Sequence, residues 1–389
     1  MISNRSRVLV VKLADIGDAV LALPAIQALR SAAPSATIDV LTTGAGANVF
    51  NRSPAVSDVL TLQKQQFDRI SGLASPGAIL DLITLSRTLR GRRYDIVVLL
   101  HHLTTGFGAL KFRSLASVAG APVVAGLDNG RGSFLTHRAI DYGFGERSET
   151  AYGLEIVRAL GIECHTSHPA IKIDESARSA AAKLLEQRQI GTEYAVMHTE
   201  VGEFSPARAW PDQHFATLGQ EIQRKHRLPV VLVGVDAHRP GLQSIIEASG
   251  AINLCGQTSF DQLCALIEGA SLVVGADSSV AHIAAAFNRP LVALFGPSNH
   301  RAWKPAGSHV VRIGQAPERK HRQIVLTQDV PCAPCIYRGF SLGRPAGCRS
   351  RRCMTELMPA DVFRTLNNVI DPRLDGCDAS SQPEPNGEN

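Results

Sequence analysis

The sequence has no apolar run near the roughly 20 residues that cross a bilayer, which excludes a chain built around membrane spans. No small-residue cleavage site follows the opening Met1-Ile-Ser-Asn-Arg-Ser-Arg7, which leads directly into a strand, and this predicts a cytoplasmic protein. The formal charge of +5 is mild and its basic residues are spread out. A duplex nucleic acid calls for a concentrated basic stripe, so no nucleic-acid partner is expected; an anionic substrate or a membrane surface fits better. The densest basic run, Arg312 to Arg322, reads as a solvated loop. Signature motifs are also missing. Neither G-x-x-x-x-G-K-[ST] nor H-E-x-x-H occurs, and Gly44-Ala-Gly46 lacks the third glycine of a dinucleotide fingerprint. The stretch Gly339-Phe-Ser-Leu-Gly343 has nucleophile-elbow spacing but no strand before it. No D-x-D occurs, which removes the usual sequence sign of a metal-chelated nucleotide sugar.

What remains is a long alternation of strands and helices. At 389 residues the chain exceeds one ordinary core, and two domains are expected. Strand-like runs at Arg7–Lys12, Ile38–Thr42, Val59–Leu62, Asp95–Leu100 and Val123–Gly126 alternate with helical composition. In the first helix, Ala19–Ala32, Pro24 predicts either a kink or a start near that residue. A second series runs from helix Ser176–Gln189 through strands Tyr194–Thr199, Pro229–Gly234 and Ile252–Cys255 to Val273–Ala276 and Pro290–Phe295. The pattern predicts an α/β protein with two facing Rossmann-like domains, residues 1–165 and 166–358, and a ligand in the cleft between them. The second domain includes a Cys-rich segment, 329–354; a final helix (359–371) and a polar, disordered tail (372–389) follow.

Four stretches carry chemistry. Asp277-Ser278-Ser279 joins an apolar strand to a small-residue helix, whose first backbone N–H groups could face an anion. Capping by the serines alone accounts for the same pattern. Lys12-Leu-Ala-Asp-Ile-Gly17-Asp18 follows the first strand. Asp18 is there either a first-turn acid favoured by the helix dipole or a carboxylate able to take a proton. Arg208-Ala-Trp210-Pro211 ends a loop that begins after Thr199 and contains Gly202. A guanidinium at a strand's carboxyl end suits a diphosphate, while Trp210 is expected to pack beneath the loop. Cys332, Cys335, Cys348 and Cys353 gather four of the eight cysteines, and the first pair has C-x-x-C spacing. They predict either a structural zinc or iron site or four unligated thiols. Cys164, Cys255, Cys264 and Cys377 are scattered and read as inert.

In this order, strand-K-x-x-x-x-G-D, R-x-W-P, VGADSSVAHIAAA with FGPS, and the cysteine cluster, the sequence resembles glycosyltransferase family 9, the ADP-heptose:lipopolysaccharide heptosyltransferases. The resemblance runs from about Arg7 to Val369. It implies a GT-B fold that binds donor in the second domain and acceptor in the first, with the final helix crossing back onto the first. It implies an inverting displacement with no catalytic cofactor, Asp18 as base, and Arg208 where the family has a lysine. Asp277, Ser278 and Ser279 fall on the family's donor-binding Asp-Thr-Gly, and His282 on the histidine that follows. Thr199, Gly202, Asn253 and Gly256 fall in donor-binding segments, and Asp236 is the acid expected near the ribose. The implied partners are a nucleotide sugar, ADP-heptose first, and a saccharide or glycolipid acceptor at the inner face of a membrane. Another nucleotide sugar, a protein or natural-product acceptor, an epimerase and a non-catalytic binding module are the alternatives. Two departures stand out: Ser278-Ser279 in place of Thr-Gly, and Leu13-Ala14-Asp15 where small hydroxyl residues are usual.

Overall fold

The computed structural model describes residues 2–62, 76–165, 168–315 and 321–370. The Cys377 and tail expectations, and Arg319 and Lys320 of the basic run, lie outside them. Six parallel strands form the first sheet: β1 (Arg7–Lys12), β2 (Thr37–Thr42), β3 (Asp58–Thr61), β4 (Ile96–Leu99), β5 (Val123–Asp128) and β6 (His137–Ile140). Their order is β3-β2-β1-β4-β5-β6. The second sheet has seven parallel strands: β7 (Ala195–His198), β8 (Val230–Val233), β9 (Ile252–Asn253), β10 (Leu272–Ala276), β11 (Leu291–Phe295), β12 (His309–Arg312) and β13 (Gln323–Thr327). Its order is β12-β13-β11-β10-β7-β8-β9. The mixed α/β, parallel-sheet architecture is the expected one. Runs such as Val8–Val11 and Val230–Val233 are buried on both faces, as strands between two helical layers must be.

The helices are α1 (Ile16–Ala32), α2 (Gly44–Phe50), α3 (Pro76–Arg92), α4 (Gly106–Ala119) and α5 (Glu149–Ala159), then α6 (Glu175–Gln187), α7 (Asp212–His226), α8 (Leu242–Ser249), α9 (Phe260–Gly269) and α10 (Ser279–Ala286). Short α11 (His300–Trp303) and α12 (Arg352–Thr355) precede the final α13 (Pro359–Val369), and β14 (Ile336–Arg338) pairs with β15 (Ser341–Gly343) in a hairpin. One continuous core runs from Val8 and Val10 through α1 and α5 to α10 and Val273, so the inner helical layers of the two sheets share a core. Separate cores cover the outer faces of the first and second sheets. Among the described residues no helix is long and apolar enough to cross a membrane.

The structure corrects several expectations. Helix α1 begins at Ile16 and carries Pro24 in its interior, rather than starting near it. The final helix does not spend its apolar face on the first sheet. Val362, Leu366 and Val369, spaced to fall on one face, are buried with Phe215, Leu218 and Ile222 of α7 and with Leu294 and Leu326 of the second sheet. His226 Nε2 and Asn367 Oδ1 lie 2.9 Å apart and bind the same pair of helices. Strands β12 and β13, absent from the strand-like runs read in the sequence, continue the second sheet beyond β11. A strand, β14, does precede Gly339, but the chain turns there into β15, so Ser341 sits exposed in a hairpin and not at the head of a helix.

Candidate functional site

The strand order reverses between β1 and β4 in the first sheet and between β7 and β10 in the second, where β13 also returns inward to lie between β11 and β12. Open parallel sheets bind ligands beyond the carboxyl ends of the strands at such points. The loops after β1, β7 and β10 bring Asp18, Arg208 and Asp277 there. Asp15 is the N-cap of α1 and Asp18 lies in its first turn. Gly17 abuts the second sheet's helix: a Cβ on it would lie 2.9 Å from His282 Cδ2, so only glycine permits the approach.

Asp18 Oδ1 accepts a hydrogen bond from Trp303 Nε1 at 2.7 Å, across the cleft. The indole stacks on Tyr337, with centroids 3.8 Å apart, and Phe144 packs on both rings at 5.2 and 5.3 Å. Sequence reasoning missed these three aromatics. The one available signal was that Trp303 is one of only two tryptophans and follows the FGPS turn closely.

Arg208 ends the short turn Pro206–Arg208. Its Nη1 lies 3.3 Å from the Asp277 carbonyl oxygen and 3.5 Å from Asp277 Oδ2. Both contacts are long, so the fork is aimed but not saturated. Gly202 sits beside the same guanidinium. Ser278 occupies the N-cap of α10 but makes no side-chain cap bond. Its hydroxyl, like Nδ1 of His282 and of His198, is buried without a partner among the described residues. Buried polar atoms are ordinarily paired, so this group of three marks a place for a ligand. Burial lowers the His282 pKa; Asp277 and Asp18 oppose that and Arg208 adds to it. Burial, helped by Arg239, brings His198 down to about 4. Both imidazoles are neutral near pH 7.

Thr199 Oγ1 accepts from Arg239 Nη2 at 3.1 Å, and Arg239 is itself held by Asp212 at 2.8 Å. Asp236 is exposed, and its carboxylate accepts from the His238 backbone N–H at 2.8 Å. The carboxylate seated on the turn after β8 is instead that of Glu200, which accepts from the backbone N–H groups of Val235 (2.9 Å) and Asp236 (3.1 Å). Asn253 Oδ1 accepts from Cys255 N at 2.9 Å, and Gly256, at φ +70°, donates to the Gly234 carbonyl at 2.9 Å. The sequence-derived residues of the second sheet thus lie at or just beyond the carboxyl ends of its strands, Asn253 at the end of β9 and Ser279 and His282 in the first two turns of α10. Trp210 is buried and donates to the Leu357 carbonyl at 2.8 Å, packed beneath its loop.

On the first sheet a second polar group was not foreseen. His102, just past β4, lies 3.0 Å from both Asp141 and Glu149, and Lys12 is 4.0 Å from Glu149. Burial disfavours the imidazolium, but the bonds to Asp141 and Glu149 outweigh it and raise the His102 pKa to about 9.

Cys332, Cys335, Cys348 and Cys353 line one cavity of about 10 Å³ with Ala207 and Pro297. Burial first and the neighbouring thiols second raise the pKa values of Cys335 and Cys353. Among the described residues, no three potential ligands stand in a geometry that holds a metal ion. The segment also braces Arg208: Ser205 Oγ donates to the Pro345 carbonyl at 2.7 Å, and Gly347 abuts Ala207. Cys255 and Cys264 are buried thiols with raised pKa values.

A carboxylate and a guanidinium at the switch points of two facing parallel sheets are the groups a transfer reaction needs, one to take a proton and one to meet a departing anion. The glycosyltransferase family 9 (heptosyltransferase) model matches residues 82–331, and the chain belongs to that family. It is a glycosyltransferase. Lipopolysaccharide heptosyltransferase 2 of Escherichia coli K12 is 25% identical over 352 residues, covering 82% of this chain and 94% of that protein. The structure of E. coli ADP-heptose lipopolysaccharide heptosyltransferase II superposes with a TM-score of 0.66 at 22% identity, covering 94% of this chain and 98% of that one. A more distant likeness is the iron-containing dodecameric glycosyltransferase TibC of enterotoxigenic E. coli, with a TM-score of 0.58 at 12% identity over 97% of this chain and 81% of that one.

Proposed function

We propose that the protein transfers heptose from ADP-heptose, with inversion, to a hydroxyl of a lipopolysaccharide-core-type acceptor. The GT-B division follows from this: residues 1–165 take the acceptor and 166–358 the donor. The observation that carries the reading is the convergence of Asp18, Asp277 and Arg208 on one side chain, His282, whose imidazole feels the charges of all three, with one indole N–H fixing the Asp18 carboxylate. Asp18 takes the proton of the acceptor hydroxyl as that oxygen bonds to C1 of the donor sugar. The C1–oxygen bond to phosphate breaks, and its electron pair leaves on the nucleoside diphosphate. Arg208 and the first N–H groups of α10 meet that charge. Neutral His282 and the Ser278 hydroxyl supply further hydrogen bonds, while Thr199, Gly202, Asn253, Gly256, Ser279 and Glu200 or Asp236 line the nucleotide. The test is Asp18→Asn, in which turnover should fall about 10²–10⁴-fold while ADP still protects against thermal unfolding. Unchanged turnover would sink the assignment.

Two partner readings accompany it. The donor chemistry of four thiols around one cavity favours a structural zinc or iron, although the side chains as placed do not enclose an ion. Elemental analysis of the purified chain and of Cys332→Ser decides it: bound metal lost in the variant supports the site, and none in either removes it. Contact with an anionic membrane face is supported by the groove of about 260 Å³ between α3 and α4. Both helices start at the carboxyl edge of their sheet, where Leu80, Ile83, Phe107 and Leu110 are exposed, and Arg87, Arg90 and Arg113 are exposed behind them. Leu110→Glu should abolish co-sedimentation with phosphatidylglycerol vesicles; equal binding by the variant rules this face out.

A further inference from the structure

A cavity of about 450 Å³ opens between the two sheets' units and shares Phe144 with the aromatic wall beside Asp18. Its rim carries Arg301, Arg312 and Arg338, against the single carboxylate of Glu146. Arg312 faces Asp329 at 3.6 Å, with both side chains at least half exposed, so water screens that pair strongly. Arg301 and Arg338 are exposed and form no ion pair among the described residues. His300, also on the rim, has a pKa lowered by burial and then by Arg301, Arg312 and Lys304, a sign that these positive fields converge there.

The cavity is assembled from both halves of the chain. Asn299 Nδ2 donates to the Phe144 carbonyl at 3.2 Å and to the Tyr337 carbonyl at 2.9 Å, and Phe144 N donates to the Gly339 carbonyl at 2.7 Å. These bonds fix the floor next to the Phe144–Trp303 contact, and Trp303 holds Asp18. The cavity therefore borders the aromatic wall that holds Asp18, within reach of a saccharide extending from that carboxylate. Its volume is that of a small-ligand pocket. The transferase reading gives the donor diphosphate to Arg208 and leaves these guanidiniums unassigned. Planar guanidinium forks match phosphate and carboxylate oxygens.

We propose that this cavity is an anion subsite of the acceptor, in which Arg301 and Arg338 bind a phosphate or carboxylate substituent of the saccharide undergoing transfer. The proposal rests on the transferase reading above, and its test separates the two. Core oligosaccharide is presented to the full chain in three forms: native, dephosphorylated and carboxyl-reduced. The Arg301→Gln/Arg338→Gln double variant should raise the acceptor KM for native oligosaccharide roughly 10–100-fold, the range of lost charge-assisted hydrogen bonds, with kcat and donor KM unchanged. The treated form that parent and variant handle alike identifies the group: the dephosphorylated one means phosphate, the carboxyl-reduced one carboxylate. An unaltered acceptor KM overturns the subsite, and so does a rise confined to the donor KM. If no acceptor is turned over, the transfer reading falls. Calorimetric binding of native oligosaccharide to parent and double variant then still tests the cavity: equal affinities, or no binding to the parent, overturn it. Both side chains are exposed, so unfolding of the variant is not expected; matching thermal unfolding curves check this.

Discussion

His102 on the first sheet is gripped at 3.0 Å by a carboxylate at each ring nitrogen. Across the cleft, His282 and His198 are equally deep in the protein yet leave Nδ1 unpartnered, as does the Ser278 hydroxyl. The same residue type thus serves opposite ends. Where the protein completes its own hydrogen bonds, the group holds the fold together. Where it leaves them open, it has paid a desolvation cost that only a ligand can recover. The loop after β10 is therefore prepared to receive a polar ligand, while on the first sheet His102 is already satisfied and Asp18 is the reactive group.

Four substitutions would break or sharpen this contrast. Arg208→Ala carries the largest expected effect, a loss of roughly 10²–10³-fold in turnover, the scale of losing one preorganised donor to developing charge. Weaker ADP binding should accompany it, and wild-type kinetics would place the diphosphate elsewhere. Next is the pH response of stability. The His102 pKa is raised from 6.5 to about 9 by its carboxylates, so its contribution is complete below about pH 6.5 and vanishes as pH rises through about 9. The stake is on the order of 3 kcal/mol, and denaturant titrations across that window should show it. His102→Gln should flatten the slope; an unchanged slope would mean that the triad is not the source.

Trp303→Phe keeps a ring on Tyr337 but deletes the N–H on Asp18. A fall of roughly tenfold in kcat is expected, from one hydrogen bond to a charged group, with donor KM constant. A change confined to KM would make Trp303 a wall of the cleft and no more. Smallest is Ser278→Ala, which removes a buried hydroxyl that has no partner among the described residues. Donor affinity should drop about fivefold while the ligand-free protein loses no stability. If stability falls instead, the hydroxyl is structural and the contrast between the two walls fails at this residue.

Much of the fold was legible because buried parallel strands announce themselves as apolar runs, and Val8–Val11, Val230–Val233 and Leu291–Phe295 are such runs. The strand-end loops were legible for the same reason, which is why Asp18, Arg208 and Asp277 could be named. Short edge strands such as His137–Ile140 carry no such run, and Gln323–Thr327 follows a basic segment that masked it. The final helix was placed on the first domain by the resemblance alone; its own apolar face tells that it is buried but not against which partner, and that partner is the second sheet's outer layer. Asp236 was chosen by position in the chain, whereas Glu200 reaches the same turn from the end of the neighbouring strand.

Local order, then, was settled by the sequence: the alternation of strand and helix, the glycine and polar switches at strand ends, and the clustering of cysteines. Those features depend on near-neighbour chemistry and on the burial of apolar runs. Tertiary structure alone decided which distant groups meet. An indole 285 positions away holds Asp18, the N-cap Ser278 has its hydroxyl buried without a partner among the described residues, and arginines from three separate segments ring one cavity. Such contacts arise from how two sheets pack across a shared helical layer, and no spacing within the chain encodes that.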